Sequence, residues 1–470
     1  MHACAYGSLQ RLTINLYVPV LLISHKLFNT NFIINDSNMS SKDLHVASIY
    51  RILTCCLLLL AAGISAKAQD TVHINLPDAE KQFLDRNLQL LAEKYNVSIA
   101  KAQIIQARLY NNPNLTLSGN LYNPDQKKFF DISNQTGQYE IGIQQMISLA
   151  GKRNKQVKLA RTNAEMAENA FFDLLRTLRF TLRSDFYQAY YLQSSMKAYE
   201  AQIATLEKMD ATYKELQQKG LVTLKDAVRL RSLLYSLRAE RTNMQNQVND
   251  LEAELQLLLQ NNHSWFAPEV QDNALAGIPE VRQTSLQSLV DSAYANRQDL
   301  LLAQNSLLYN QQNYSLQKAM AVPDLTLGAS FDKRGSFVNN ASFLNLGIDL
   351  PFFNRNQGNI KAAKFSVDQN KLLVQQQTQV VENEVQTAYV KAMNTDKMLE
   401  SVDPAFRGQF EQLLQSITDN FMKKNISLLE LTDFYDSYKE NILQLNQLQN
   451  DRMQAIETLN FAIGKTLFNK

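Results

Sequence analysis

Apolar residues between 175 and 216 fall at Leu175, Leu178, Leu182, Phe186, Ala189, Leu192, Met196, Tyr199, Ile203, Leu206, Met209, Tyr213 and Leu216. Every step is three or four residues. The mean of about 3.4 is nearer the 3.5 of a supercoiled helix than the 3.6 of a straight one. The 68 residues between Gly151 and Gly220 contain neither Gly nor Pro, so the spacing predicts one helix roughly 100 Å long. Beyond Gly220 the pattern resumes through Leu230, Leu234, Leu237, Met244, Val248, Leu251, Leu255 and Leu258. Two antiparallel helices in a coiled-coil hairpin account for both runs.

Shorter segments alternate with period two, which predicts strands. Leu115, Leu117, Gly119 and Leu121 alternate with Thr116, Ser118, Asn120 and Tyr122, and Tyr139, Ile141, Ile143, Ile147 and Leu149 with Glu140, Gly142, Gln144 and Ser148. Leu325, Leu327, Ala329 and Phe331, then Leu344, Leu346, Ile348 and Leu350, repeat the pattern. Each run has the length of a tilted strand crossing a bilayer. A small soluble sheet with one face on a core would alternate in the same way.

The chain is a tandem duplication. Pro113-Asn114-Leu115-Thr116-Leu117 returns 210 residues later as Pro323-Asp324-Leu325-Thr326-Leu327, and Thr223-Leu224-Lys225-Asp226 returns after 204 as Ser427-Leu428-Leu429-Glu430. Each copy reads helix, strand, strand, long helix, break, long helix, and such a repeat outranks any local reading. The second long helix is expected to start near Asn359 and to kink or restart at Pro404 and Gly408, where proline removes a donor and clashes with the preceding turn. The expected organisation is an extension and leader over 1–68, a first repeat over 69–267, a linker over 268–284 and a second repeat over 285–470.

Composition supports a mainly α chain with a small β part: 14 Gly and 9 Pro in 470 residues are few for a loop-rich enzyme. Arg51, the apolar run from Ile52 to Ile64, and Ala66-Lys67-Ala68 follow the order of a secretory signal peptide cleaved near Ala68, with Met39 as the expected start. All three cysteines, Cys4, Cys55 and Cys56, precede that site, so the mature chain would hold no disulfide or thiolate metal site. The leader also carries five of 47 basic and two of 45 acidic residues. The remainder is nearly neutral, without the basic concentration that nucleic acid demands. Only His73 and His263 follow the leader, with no paired ligand spacing, nucleophile constellation or phosphate loop. Nothing points to a catalytic residue, a metal site or a cofactor. Four strands cannot close a membrane barrel, whose smallest examples have about eight, so a membrane reading requires an oligomer.

At this point the residues resemble the TolC family of outer-membrane efflux channels over about 76–468. Ser148-Leu149-Ala150-Gly151-Lys152-Arg153 and Leu350-Pro351-Phe352-Phe353-Asn354-Arg355-Asn356-Gln357-Gly358-Asn359-Ile360 are similar to strand-to-helix turns of its heavy-metal and cation efflux branch. The resemblance implies a homotrimer, in which each chain gives four strands to one twelve-stranded barrel in outer-membrane lipid and its helices to a periplasmic tunnel. It also implies a periplasmic adaptor and an inner-membrane pump of the resistance-nodulation-division (RND) type. Gly220, Leu221, Val222 and Thr223, with Asn425, Ile426 and Ser427, match the adaptor-docking tips. Glycine is missing from the second tip, where Asn425 is expected to take the left-handed turn. Asp226, Glu430 and Asp433 match acidic entrance residues. Asp226 and Glu430 equally suit the first turn of the returning helices, where a carboxylate meets the helix dipole. Small solutes, metal cations and secreted polypeptides all stand as cargo, the last for the outer-membrane component of a type I secretion system, and a periplasmic coiled-coil adaptor or scaffold is the rival class.

Overall fold

Long uninterrupted helices form where the sequence denies the chain a place to turn. The computed structural model describes residues 71–261, 265–270, 281–334, 338–403 and 405–468. The expected leader with its cleavage site, His263, Pro404 and much of the expected linker lie outside the described residues. The first repeat comprises strand β1 (Thr71–Asn75), helices α1 (Leu76–Arg86) and α2 (Leu88–Arg108), and strands β2 (Asn114–Gly119), β3 (Tyr122–Asn123), β4 (Lys128–Phe129) and β5 (Tyr139–Ile147). Helices α3 (Lys152–Gln218) and α4 (Leu224–Leu259) follow, then strand β6 (Trp265–Glu269). The second repeat comprises α5 (Leu286–Asn296), α6 (Gln298–Met320), β7 (Leu325–Asp332), β8 (Ala341–Ile348), α7 (Gln357–Glu400), α8 (Phe406–Met422) and α9 (Leu428–Ile463).

Helix α3 is a single run of 67 residues, as its Gly- and Pro-free sequence predicts. Its matching helix in the second repeat stops at Glu400 and restarts at Phe406, so the expected interruption is present. The restart is local: Asp403 accepts from the Ala405 N–H at 2.9 Å. None of the thirteen apolar positions of the α3 stripe is exposed. Ten of them pack into two cores. One lies around Leu182, Phe186 and Ala189 with Leu255, Val385 and Ile456. The other lies around Tyr199, Leu206, Leu230, Leu234, Phe421, Leu431 and Tyr435, and so includes both helix hairpins.

The four long strands form one antiparallel sheet in the order β2-β5-β7-β8. Its central seam joins the repeats, with Ile141 opposite Phe331 and Ile147 opposite Leu325. The register collects Leu115, Leu117, Ile141, Ile143, Leu325, Leu327, Ala329, Leu344, Leu346 and Ile348 on one face. Thr116, Gly142, Gln144, Thr326, Ser330 and Asn345 lie on the other. The apolar face covers no core: Leu117 is 69% and Leu344 85% exposed. Strand β5 ends at Ile147 rather than Leu149 because the Leu149 N–H leaves the ladder for the Asp324 carboxylate, 2.9 Å away.

Four pairings escape the period rules. Strands β1 and β6 form a parallel pair, Thr71 to Trp265 through Asn75 to Glu269, and β6 crosses the expected boundary at residue 268. Strands β3 and β4 make a small hairpin within the β2 to β5 connection. Helix pairs α1/α2 and α5/α6 break at Asn87 and Arg297 without Gly or Pro. Asn87 caps α2 by accepting from Leu90 and donates to the Leu258 carbonyl at 3.1 Å. Arg297, only 2% exposed, donates to the Ala462 carbonyl at 3.0 Å. Each break residue thus satisfies an end carbonyl of its own returning helix, a group that would otherwise be left without a partner.

Candidate functional site

Both helix hairpins turn in the same way. Helix α3 ends with the Leu221 N–H bonded to Leu216 O at 2.9 Å and Gly220 N–H to Gln217 O at 3.0 Å. Helix α8 ends with Asn425 N–H on Asn420 O and Lys424 N–H on Phe421 O, both at 2.9 Å. These are Schellman closures, which place one residue in the left-handed region. At the first tip that residue is Gly220, φ 69°, and at the second it is Lys424, φ 63°. The expectation for Asn425 is therefore off by one. Asn425 is the residue after the left-handed one, and its side chain donates to Asn420 Oδ1 at 3.1 Å. Lysine at positive φ bears a Cβ strain that glycine avoids.

Thr223 and Ser427 each cap the returning helix. Thr223 Oγ1 accepts from Asp226 N–H at 3.2 Å and donates to its carboxylate at 2.7 Å. Ser427 and Glu430 form a full capping box: Ser427 Oγ accepts from Glu430 N–H at 3.2 Å, and the Glu430 carboxylate accepts from Ser427 N–H at 2.8 Å and its hydroxyl at 2.9 Å. These bonds from Ser427 hold the Glu430 carboxyl below the usual carboxylate range. Asp226 and Glu430 thus occupy equivalent third positions, where the helix dipole favours negative charge. Asp433 lies nearly one turn farther along α9 and is exposed. Leu221 is exposed at the first tip, while Val222 and Ile426 are half-buried. The tips are tied together above: the Tyr213 and Phe421 rings stack at 6.0 Å, and burial, with the nearby Asp226 carboxylate, raises the Tyr213 pKa.

The two strand-to-helix turns differ. Ala150 and Gly151 are both left-handed, which turns the chain sharply enough to bury Lys152 against Asp324 at 2.7 Å, an ion pair between the repeats. Arg153 lies over the Tyr110 ring at 3.8 Å. In the second repeat the left-handed residue is Asn356, φ 57°, whose side chain donates to Gln317 O and Oε1 at 2.8 Å. Pro351 precedes this turn. Gly358 is already inside α7 with open space where a Cβ would stand, so the turn geometry rests on Asn356. Sequence reasoning missed Lys152 as a buried ion, although a lysine directly after two turn-forming residues is the available signal.

A family model described as outer membrane efflux protein matches residues 80–261 and 289–465. The chain belongs to that family. The outer membrane efflux protein family sets it among outer-membrane channels with a periplasmic helical tunnel rather than among enzymes or adaptors. Among solved structures, CusC, whose study concerns folding and transmembrane channel formation, is 17% identical, with 83% of this chain and 92% of that chain covered and a TM-score of 0.66. The CmeC outer membrane channel of Campylobacter jejuni is 14% identical, covering 84% and 86%, with a TM-score of 0.68. VceC of Vibrio cholerae is 16% identical, covering 83% and 96%, with a TM-score of 0.63. No curated protein matches the sequence significantly. At such identity these structures speak for the fold: a tandem helix-strand-strand-helix chain, mainly α with a small β part.

Proposed function

We propose that three copies of this chain close one twelve-stranded barrel, and that the trimer is the exit duct of a tripartite efflux system. The observation that carries this is the four-stranded sheet. Among the described residues its outer strands β2 and β8 have one neighbour each, and its apolar face covers nothing. Open edges are not tolerated in lipid, so the sheet needs further copies on both sides. The apolar face then meets lipid and the polar face lines the lumen. At the opposite end, the matched tips at Gly220 to Thr223 and Asn425 to Ser427 serve as docking points for a periplasmic adaptor, and an inner-membrane RND-type pump supplies the energy. Small solutes, metal cations among them, are the cargo. The metal reading rests on the turns at Ser148 to Arg153 and Leu350 to Ile360.

Asp226, Glu430 and Asp433 form the acidic entrance in this reading. Charge rings at constrictions govern ion selectivity. Purified protein is expected to run as a trimer in mild detergent, and a monomer would overturn the proposal. In planar bilayers under asymmetric salt, the double variant Glu430→Gln, Asp433→Asn is expected to move the reversal potential towards zero, and Asp226→Asn to move it less. An unchanged potential in the double variant would mean that Glu430 is a capping residue only.

A further inference from the structure

The connection between β2 and β5 is well fastened yet presents apolar side chains to solvent. Its ends are held by Asn120 N–H on Gln138 O at 3.2 Å and Phe130 N–H on Leu121 O at 3.1 Å. Asp131 braces the rest, accepting from the Thr136 hydroxyl at 2.6 Å and the Ser133 N–H at 3.0 Å. These bonds, that from Thr136 foremost, bring its pKa down to about 2. On this frame Phe129, Phe130 and Ile132 are 69%, 71% and 75% exposed. The Phe129 ring packs on Tyr122 at 4.8 Å. Lys127 and Lys128 stand directly beside them.

Lys333 shows to which side the connection leans. Its N–H donates to Tyr139 O at 3.0 Å, which extends the β5 to β7 ladder by one pair. Alternation then puts its side chain on the face of Phe331 and Tyr139, the apolar one. The ammonium lies 5.6 Å from the Tyr139 ring centroid, and that ring 6.4 Å from Phe331. The same ammonium donates to Asn134 Oδ1. The turn at residues 133–136 is thus held from the apolar side of the rim by Lys333, while the neighbouring Arg334 guanidinium donates to Gln135 O in the same turn.

We infer that residues 120–138 are a lipid anchor lying in the headgroup layer of the outer leaflet. This rests on the reading of the apolar sheet face as the lipid face. Phe129, Phe130 and Ile132 continue that band past the end of the strands, as aromatic girdles do at membrane interfaces. Lys127 and Lys128 meet lipid phosphates there, their stems lying along apolar surface. The occupant is the phosphorylated lipid of the outer leaflet. A loop folded inward would set these rings in the aqueous mouth, where burial gains nothing.

Trp265 is the sole tryptophan, so Phe130→Trp in a Trp265→Phe background reports on this position alone. The full-length protein is reconstituted in phosphatidylcholine vesicles containing lipid A, with bromine placed either shallow or deep on the acyl chains. A blue-shifted emission, lost most with shallow bromine and little affected by aqueous iodide, is expected. Emission quenched by iodide and indifferent to bromine would overturn the anchor. The triple variant Phe129→Ser, Phe130→Ser, Ile132→Ser is expected to keep the parent conductance in planar bilayers, whereas an increase would mean that the connection caps the mouth. Conductance of the Trp-bearing protein separates the two readings. A channel that conducts with a wet tryptophan refutes the anchor alone, and protein that forms no channel refutes the barrel on which the anchor rests.

Discussion

The two repeats make the same hairpin by different means. In the first, α3 runs unbroken to a tip whose left-handed residue is Gly220, the residue that tolerates it best. In the second, the descending helix is split between Glu400 and Phe406, and the equivalent tip residue is Lys424. The cores differ as well. Glu252, 4% exposed, stands 204 residues before Ile456, which is 1% exposed. A buried carboxyl in one copy thus occupies the place of a hydrocarbon in the other. The backbone closure is shared down to the hydrogen bond, the capping box is complete only at the second tip, and side-chain strain and interruption are distributed unequally. The shared features hold the fold, and the unequal ones distinguish the two hairpins.

The sharpest way to break this comparison is one substitution at both matched positions. Ala201→Pro lies inside α3 and is expected to cost about 3 kcal/mol or more per chain, enough to prevent trimer assembly on a semi-native gel. Ala405→Pro lies at the existing restart, where it removes only the bond to Asp403, and is expected to cost about 1 kcal/mol. Equal effects would mean that the interruption in the second repeat does not relax the helix.

Glu252 gives a test with a sign in pH. Burial raises its pKa from 4.5 to about 7, so between those values the folded protein holds a proton that the unfolded chain has released. Stability therefore falls as pH rises through that window, and the full cost is present above it. Glu252→Gln is expected to stabilise the protein by about 1–3 kcal/mol at pH 8 and to add nothing at pH 4. Melting temperatures at both values decide it. No gain at pH 8 would show that a neighbouring protomer compensates the charge.

The smallest expected effects are at the tips. Gly220→Ala is expected to destabilise the first tip by about 1–2 kcal/mol and Lys424→Gly to stabilise the second by about 0.5–1 kcal/mol. Hydrogen exchange at residues 216–222 and 420–426 would resolve them. A change of the same sign at both tips would break the assignment of Lys424 as the strained counterpart of Gly220.

Much of this architecture is legible from sequence because it is written in periodicity. The stripe from Leu175 to Leu216 lies wholly within α3, and each of the four alternating runs supplies a strand of one sheet, although Leu121, Tyr122, Leu149 and Leu350 fall beyond the ends of those strands. What is not legible depends on single hydrogen bonds made at long range. Lys424 rather than Asn425 is left-handed because the closure counts back five residues from Asn425 to Asn420, a register that composition does not reveal. Arg297 reads as a surface charge, yet it is enclosed by Asp299, Glu384 and the end of α9. The β1 and β6 segments are too short to display a period. For Asp226 and Glu430, sequence supplies the positions and the structure supplies their caps.

The seam between β5 and β7 also bears on how such a chain is made. Its paired residues lie 178 to 192 positions apart, a separation at which contacts form slowly because a long loop must close first. While the chain emerges from its N-terminus, the β2 and β5 hairpin can exist only as an isolated ribbon, too small to be stable in water. The helices can zip along neighbouring sequence, but the wall waits for residue 325 and beyond. On the proposed barrel, membrane insertion is then the closing event of biogenesis, and a chain that stops before the second repeat is expected to have no route into the bilayer.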